Sequence, residues 1–238
     1  MKTEILFPEV ANLCGDLMNV TYLRQCCPEM EVVETGLKDR PAFLDGGVDL
    51  VYVGSATERG LQLMVKALAP YRAELERYVD GGGLMLATGN ALDALGEYVV
   101  IDGKRAFDGL GILKTHAEYH MMKRHNSFLL GSFQDMEIVG FKSLFGHTYP
   151  NSELTDALFR VERGVGRHPG TYAEGFRRGG LMATYLIGPL LPLNPPFTRY
   201  LLEQMGAKDV HLAFEDTAMK AYRARVEEFR DEKRGYQY

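Results

Sequence analysis

A chain of 238 residues can bury a sizeable core, and its 46% hydrophobic content is ordinary for a globular protein. The formal charge of −5 leaves no basic footprint, which argues against nucleic acid as a partner. No apolar run approaches the roughly 20 residues that span a bilayer. The start, Met1-Lys2-Thr3-Glu4, lacks the apolar stretch of a signal peptide, and three cysteines suit a reducing cytoplasm better than a disulfide framework.

The first part of the chain alternates short apolar runs with helical stretches. Ile5-Leu6-Phe7, Glu31-Val32-Val33, Leu50-Val51-Tyr52-Val53 and Leu84-Met85-Leu86 read as buried strands. Val20 to Cys27 and Leu61 to Val79 read as helices, with Pro70 kinking or splitting the second. This alternation predicts a mostly parallel sheet flanked by helices. After Gly96 the pattern turns β-rich. Tyr98 to Ile101, Asp102-Gly103 and Lys104 to Phe107 form a hairpin signal, because Asp-Gly favours the turns that match strand twist. Phe128 to Leu130 and Ile138 to Phe141 continue as strands, Leu181 to Ile187 returns to a buried strand, and Pro195 to Met205 reads as a helix. A charged helix spans about 214–234, with Ala218, Tyr222, Val226 and Phe229 on one face; it packs on its own domain or docks a partner. Gly235 to Tyr238 are expected to fray. With no repeat or low-complexity linker, residues 1–238 are expected to form one α/β domain.

Two segments carry more. One is Gly83-Leu84-Met85-Leu86-Ala87-Thr88-Gly89-Asn90, running on to Leu95-Gly96. The other is Ala183-Thr184-Tyr185-Leu186-Ile187-Gly188-Pro189. Together they resemble the catalytic segments of class I glutamine amidotransferases, in which one strand ends in Cys-Gly-Gly-Tyr-Gln and a later one in Gly-Thr-Tyr-Leu-His-Gly-Pro. Further segments match in order: Gly15 to Asn19 with Leu23-Arg24-Gln25, Val53 to Arg59, Asp108 to Leu113, Val139 to Phe141, Gly146 to Tyr149 and Gly164 to Gly166. The set is most similar to the cobyric-acid-synthase type, and within it to the glutaminase subunit of lipid II isoglutaminyl synthase. The resemblance implies a flavodoxin-like, mostly parallel sheet with an antiparallel extension, and no cofactor.

Under that resemblance the Cys position holds Ala87, or Thr88 if a one-residue insertion is placed differently. The His position holds Ile187, and Ala91 or Leu92 replaces the motif's Gln. A glutaminase needs a thiolate and an imidazole to activate it, so this frame predicts no glutaminase activity. Ala87 and Ile187 are expected to end neighbouring strands and to touch across the carboxyl edge of the sheet.

Other residues are candidates for the pocket. Gly54, Ser55, Gly89 and Asn90 lie on the loops where backbone N–H groups would bind an oxyanion. Asp16 matches an acidic residue that the family places near its His; it also reads as a helix cap. Cys14, in the same loop, reads as an inert thiol or a relocated nucleophile. The family expects a basic residue near Lys123 or Arg124 to hold the substrate carboxylate, although surface solvation explains both. His147-Thr148-Tyr149 and Arg163 to His168 border the site in the family fold. His116, His120 and His125 with Glu118 form a loose cluster read as surface polarity, and no metal site is expected.

Three functions follow. The first is a non-catalytic subunit or small-molecule-binding scaffold. The second is an enzyme with a relocated nucleophile, Cys14 or Thr88. The third is an active glutaminase supplying ammonia to a Mur-ligase-like synthetase for cell-wall or cobalamin-type amidation. The resemblance implies such a synthetase as partner; a homodimer is the alternative, through the 214–230 helix or the rim around Tyr149.

Overall fold

The computed structural model describes residues 1–152 and 156–237. Its centre is a six-stranded sheet built from β1 (Lys2–Leu6), β2 (Glu31–Thr35), β3 (Leu50–Val53), β4 (Leu84–Thr88), β13 (Phe176–Arg178) and β14 (Leu181–Thr184), in the order β13-β14-β4-β3-β1-β2. All pairings are parallel except β13 with β14. All four β3 residues are buried, as expected for a strand covered on both faces. Alternation divides the core: Val51, Val53, Met85 and Ala87 pack on one side of the sheet, and Leu50, Tyr52 and Leu86 on the other.

Helix α1 (Met18–Cys26) follows the first strand, and α2 (Glu58–Leu68) and α3 (Arg72–Asp80) follow the third. Thr57 caps α2 by accepting the Gly60 N–H at 3.1 Å. As expected, Pro70 splits the long apolar pattern, here through a short 3-10 turn over Ala69–Tyr71. Helix α4 (Ala91–Leu95) follows β4 directly.

The β-rich stretch forms two further four-stranded sheets. One comprises β5 (Tyr98–Ile101), β6 (Lys104–Asp108), β7 (Thr115–Tyr119) and β10 (Gly146–Pro150), in the order β10-β7-β5-β6. Asp102 (φ 47°) and Gly103 (φ 79°) make the tight turn of the expected hairpin. The other comprises β8 (His125–Phe133), β9 (Met136–Leu144), β11 (Phe159–Arg163) and β12 (Ala173–Glu174), in the order β12-β11-β8-β9. After β14 come α5 (Leu190–Leu193), α6 (Pro195–Gln204) and α7 (Glu215–Arg230).

Helix α7 buries Tyr222, Val226 and Phe229 against Phe128, Leu130 and Val139 of β8 and β9. It stops at Arg230, where the apolar face ends. Two expectations need correction. The strand beginning at Leu181 ends at Thr184, and Ile187 instead forms an isolated antiparallel bridge with Phe141. The tail does not fray through Gln237. The Phe128 N–H donates to the Tyr236 carbonyl at 3.0 Å, Gln237 bridges Ser127, and the Tyr236 ring packs edge-on against Phe128. Tyr238 lies outside the described residues.

Candidate functional site

Open α/β sheets bind ligands beyond the carboxyl ends of their strands. Here β4 ends at Thr88, and the chain reverses at Gly89 (φ 60°) to enter α4. A sharp strand-to-helix turn of this kind holds the nucleophile in hydrolase sheets, where its side chain projects over the sheet edge. Gly89 occupies that turn; Ala87 and Thr88 do not. Ala87 is fully buried in the apolar layer and pairs with Ala183 and Val53. Thr88, one residue on, points to the opposite face. Its Oγ1 bonds the Tyr52 hydroxyl at 2.8 Å and donates to Asp16 Oδ2 at 2.9 Å. The expected meeting of Ala87 with Ile187 is therefore replaced by one of Gly89 with Ile187. A β-carbon at Gly89 would lie 3.3 Å from Ile187 Cγ2.

Beside this turn opens a cavity of about 180 Å³. Of the sequence candidates, Cys14, Ser55, Gly89, Asn90, Arg124 and Ile187 line it. Asn90 fixes its rim by pairing twice with Ala56: Oδ1 accepts the Ala56 N–H at 2.9 Å and Nδ2 donates to the Ala56 carbonyl at 2.8 Å. Arg124 lies over the Phe145 ring at 4.5 Å and donates to Ser143 Oγ at 3.1 Å. Cys14 sits in left-handed backbone (φ 60°). Burial, then the nearby Asp16 carboxylate, push its thiol pKa up, which disfavours a thiolate.

The other candidates stand behind or away from the cavity. Asp16 is fully buried. Its Oδ2 accepts the Ser55 N–H at 2.9 Å and the Ser55 hydroxyl at 2.7 Å as well as the Thr88 hydroxyl. Its Oδ1 has no partner among the described residues, and burial raises its pKa despite these donors. Asp16 is thus a buried bracket for the Ser55 loop rather than a helix cap; α1 has no side-chain cap at all. Gly54 is also structural, since a β-carbon there would meet the Ala11 carbonyl at 2.6 Å. Lys123 is exposed in the turn after β7. His147 packs edge-on against His125, with ring centroids 5.2 Å apart, outside the cavity. Burial, then His125, Lys142 and His168, hold its pKa down to about 4. His116 stacks between Tyr98 and Tyr149. Among the described residues no group of three or more His, Cys, Asp or Glu could hold a metal ion.

Comparison with known proteins bears on the family and the fold. No family model matches the chain. It is 30% identical over 198 residues to the lipid II isoglutaminyl synthase (glutamine-hydrolyzing) subunit GatD of Staphylococcus aureus, covering 81% of this chain and 79% of that one. The chain belongs to the GatD family. A GatD subunit of Streptococcus pneumoniae is 22% identical over 224 residues, covering 89% of this chain and 84% of that one. Among solved structures, a glutamine amidotransferase aligns with a TM-score of 0.56 at 17% identity, covering 86% of this chain and 99% of that one. A second, from Thermotoga maritima, aligns at 0.53 and 9% identity, covering 98% and 91%. These likenesses fix the glutamine amidotransferase-like fold of this GatD-family chain. No helix among the described residues is long and apolar enough to cross a membrane.

Sequence reasoning missed a hydrogen-bonded group beneath the cavity of this GatD-family chain. Asp93, on α4, accepts hydroxyls from Tyr119 at 2.6 Å, Tyr185 at 2.7 Å and Thr148. Tyr119 and Tyr185 also line the cavity. Burial raises the Asp93 pKa to about 6 against the lowering effect of its three donors. With the turn at Gly89, the fifth residue of the Cys-Gly-Gly-Tyr-Gln motif falls on Asp93, not on Ala91 or Leu92. A one-residue shift in placing the turn concealed it. Glu58, another lining residue, was legible only as part of a loop motif.

Proposed function

We propose that this chain is a non-catalytic glutamine amidotransferase-like subunit, working beside a Mur-ligase-like synthetase in amidation of a cell-wall precursor such as lipid II. The observation that carries the reading is the side-chain-free residue at the strand-to-helix turn. Gly89 offers no nucleophile, and Ile187 offers an aliphatic group where the family motif has its imidazole. The orphaned Asp16 Oδ1 agrees with this. In the family an acidic residue stands near the His, and here no imidazole reaches it. The GatD relatives are named as subunits of a glutamine-hydrolyzing synthase, which supports the subunit part of the reading. The three free thiols of Cys14, Cys26 and Cys27 support a reducing, cytoplasmic setting. A stable synthetase complex buries on the order of 1,600 Å² in total. A homodimer through α7 or the rim near Tyr149 is the alternative assembly.

A second reading rests on Cys14, the one thiol lining the cavity: an enzyme with a relocated nucleophile. Its raised pKa weighs against it. The experiment is ammonia release from glutamine by the purified chain, alone and with the synthetase captured from native cells. The expected result is complex formation with ammonia release at background. Turnover abolished by Cys14→Ala would establish the second reading. Turnover that survives Cys14→Ala would restore the active-glutaminase reading and overturn both others.

A further inference from the structure

Arg167 is a nearly buried cation with two guanidinium nitrogens unpaired among the described residues. It lies in the loop between β11 and β12, and its backbone is fixed on both sides. The N–H donates to the Ala173 carbonyl at 2.8 Å, and the carbonyl accepts the Thr148 N–H at 3.0 Å. Its side chain therefore has little choice of position. The residue is 9% exposed, and its guanidinium lies 4.5 Å from the Phe176 ring centroid. Nε and Nη1 are both buried and have no acceptor among the described residues.

The surroundings make this more costly. Lys142 is fully buried next to Arg167, donating to the Gly166 carbonyl at 2.7 Å and to Glu174. Glu174, the carboxylate nearest both cations, is already committed. Its Oε1 accepts the Thr184 hydroxyl and the Tyr185 N–H, each at 2.8 Å, and its Oε2 holds Lys142. Two buried cations thus share one saturated carboxylate. A buried charge is normally paired and hydrogen-bonded, and a ring face replaces only part of what is missing.

We propose that the missing acceptor is a small inorganic anion of halide size, chloride in solution, seated against Arg167 Nε and Nη1. A larger oxyanion is disfavoured by the close packing of the loop that carries Arg167. A β-carbon on Gly166 would stand 2.7 Å from the Thr171 carbonyl. The site lies outside the cavity at Gly89 and does not depend on the function proposed above.

The test is a crystal of the full chain soaked in bromide, with anomalous scattering locating the halide, alongside thermal unfolding in chloride and in gluconate at equal ionic strength. A bromide peak beside Arg167 is expected. The unfolding midpoint should rise by about 3–5 °C per tenfold increase in chloride above the dissociation constant. The Arg167→Met variant should lose both signals. If that variant does not fold, Arg167→Lys, which keeps the charge but not the fixed fork, should weaken the chloride dependence. Only water beside Arg167 would overturn the proposal. So would a bromide peak without any chloride-dependent stabilisation, which marks an adventitious ion only.

Discussion

Ser55 closes the space above Gly89. A β-carbon on Gly89 would overlap the Ser55 Cβ and stand 3.1 Å from its Oγ. The two residues belong to different loops, yet their sizes are complementary: the turn gives up a side chain where the facing loop adds one. Gly89 also holds left-handed backbone, at φ 60°, which other residues adopt at a cost.

This relationship yields the first prediction. Gly89→Cys alone is expected to destabilise the fold by about 2–4 kcal/mol, combining overpacking with backbone strain. Adding Ser55→Gly should recover the overpacking part and leave the backbone strain together with the loss of the Ser55 hydroxyl's bond to Asp16, about 2 kcal/mol in all. Urea unfolding of the two variants decides this; equal losses in both would mean that the loop moves away freely. The triple variant with Ile187→His is expected to remain far below a working glutaminase, because the carboxylate and loop contacts around the turn are not set for it.

Asp93 sets a pH dependence. Its folded pKa of about 6 lies above the ordinary 3.8, so the folded state binds its proton more tightly than the unfolded state. Its contribution to stability is therefore complete below about pH 4 and is lost as pH rises from there to about 6, on the order of 3 kcal/mol in all. Asp93→Asn should remove this slope while keeping an oxygen for the hydroxyl donors. Denaturation midpoints of both proteins from pH 4 to 7 measure it, and parallel curves would refute the assignment.

Lys142 and Glu174 form a buried ion pair, so removing one partner is far worse than removing both. Lys142→Met is expected to cost about 3–5 kcal/mol by removing the buried carboxylate's direct ion-pair partner. Lys142→Met with Glu174→Gln should recover a large part of that. A double-mutant cycle by urea denaturation gives the coupling, and additive losses would show that the pair is not coupled.

Arg163 holds the end of the chain. Its guanidinium donates to the carbonyls of Phe229, Asp231 at 2.7 Å and Arg234 at 2.8 Å. Arg163→Ala is expected to cost about 1–2 kcal/mol, given charged hydrogen bonds that are partly exposed. It should also release the segment after α7. Faster amide exchange confined to residues 229–237 is the expected signature.

Much of this architecture was legible in the chain. Short bounded β-branched runs such as Leu50 to Val53 read as strands covered on both faces, and Asp102-Gly103 announces its hairpin through the turn it requires. Glutamine amidotransferase-like motifs in the right order led to the fold that the solved structures share. The errors were local. A strand pattern does not mark its last residue, so the sequence points to Ala87 or Thr88 for the turn, whereas the backbone puts the reversal at Gly89. Apolar continuity does not distinguish a ladder from a single bridge, so Ile187 reads as strand although it makes only the bridge to Phe141. Asp93 escapes notice when the turn is placed one residue early, and the environments of Asp93 and Arg167 are set by neighbours far away in sequence: Tyr119, Thr148 and Tyr185 for one, Lys142 and Glu174 for the other.

The pairing of β4 with β14 encloses the whole of the two small sheets between adjacent strands. Everything from Gly89 to Gly180 is a loop that must be closed before Thr88 can meet Thr184. Closing so long a loop costs entropy that only the completed pairing returns, so contacts of this kind tend to form late and slowly. Strands β1 to β4 depend on no such closure and can assemble from their own short connections. During refolding, the cavity beside Gly89 should therefore be among the last features to appear. A probe placed there would report completion of the fold, whereas one on β1 would report its beginning.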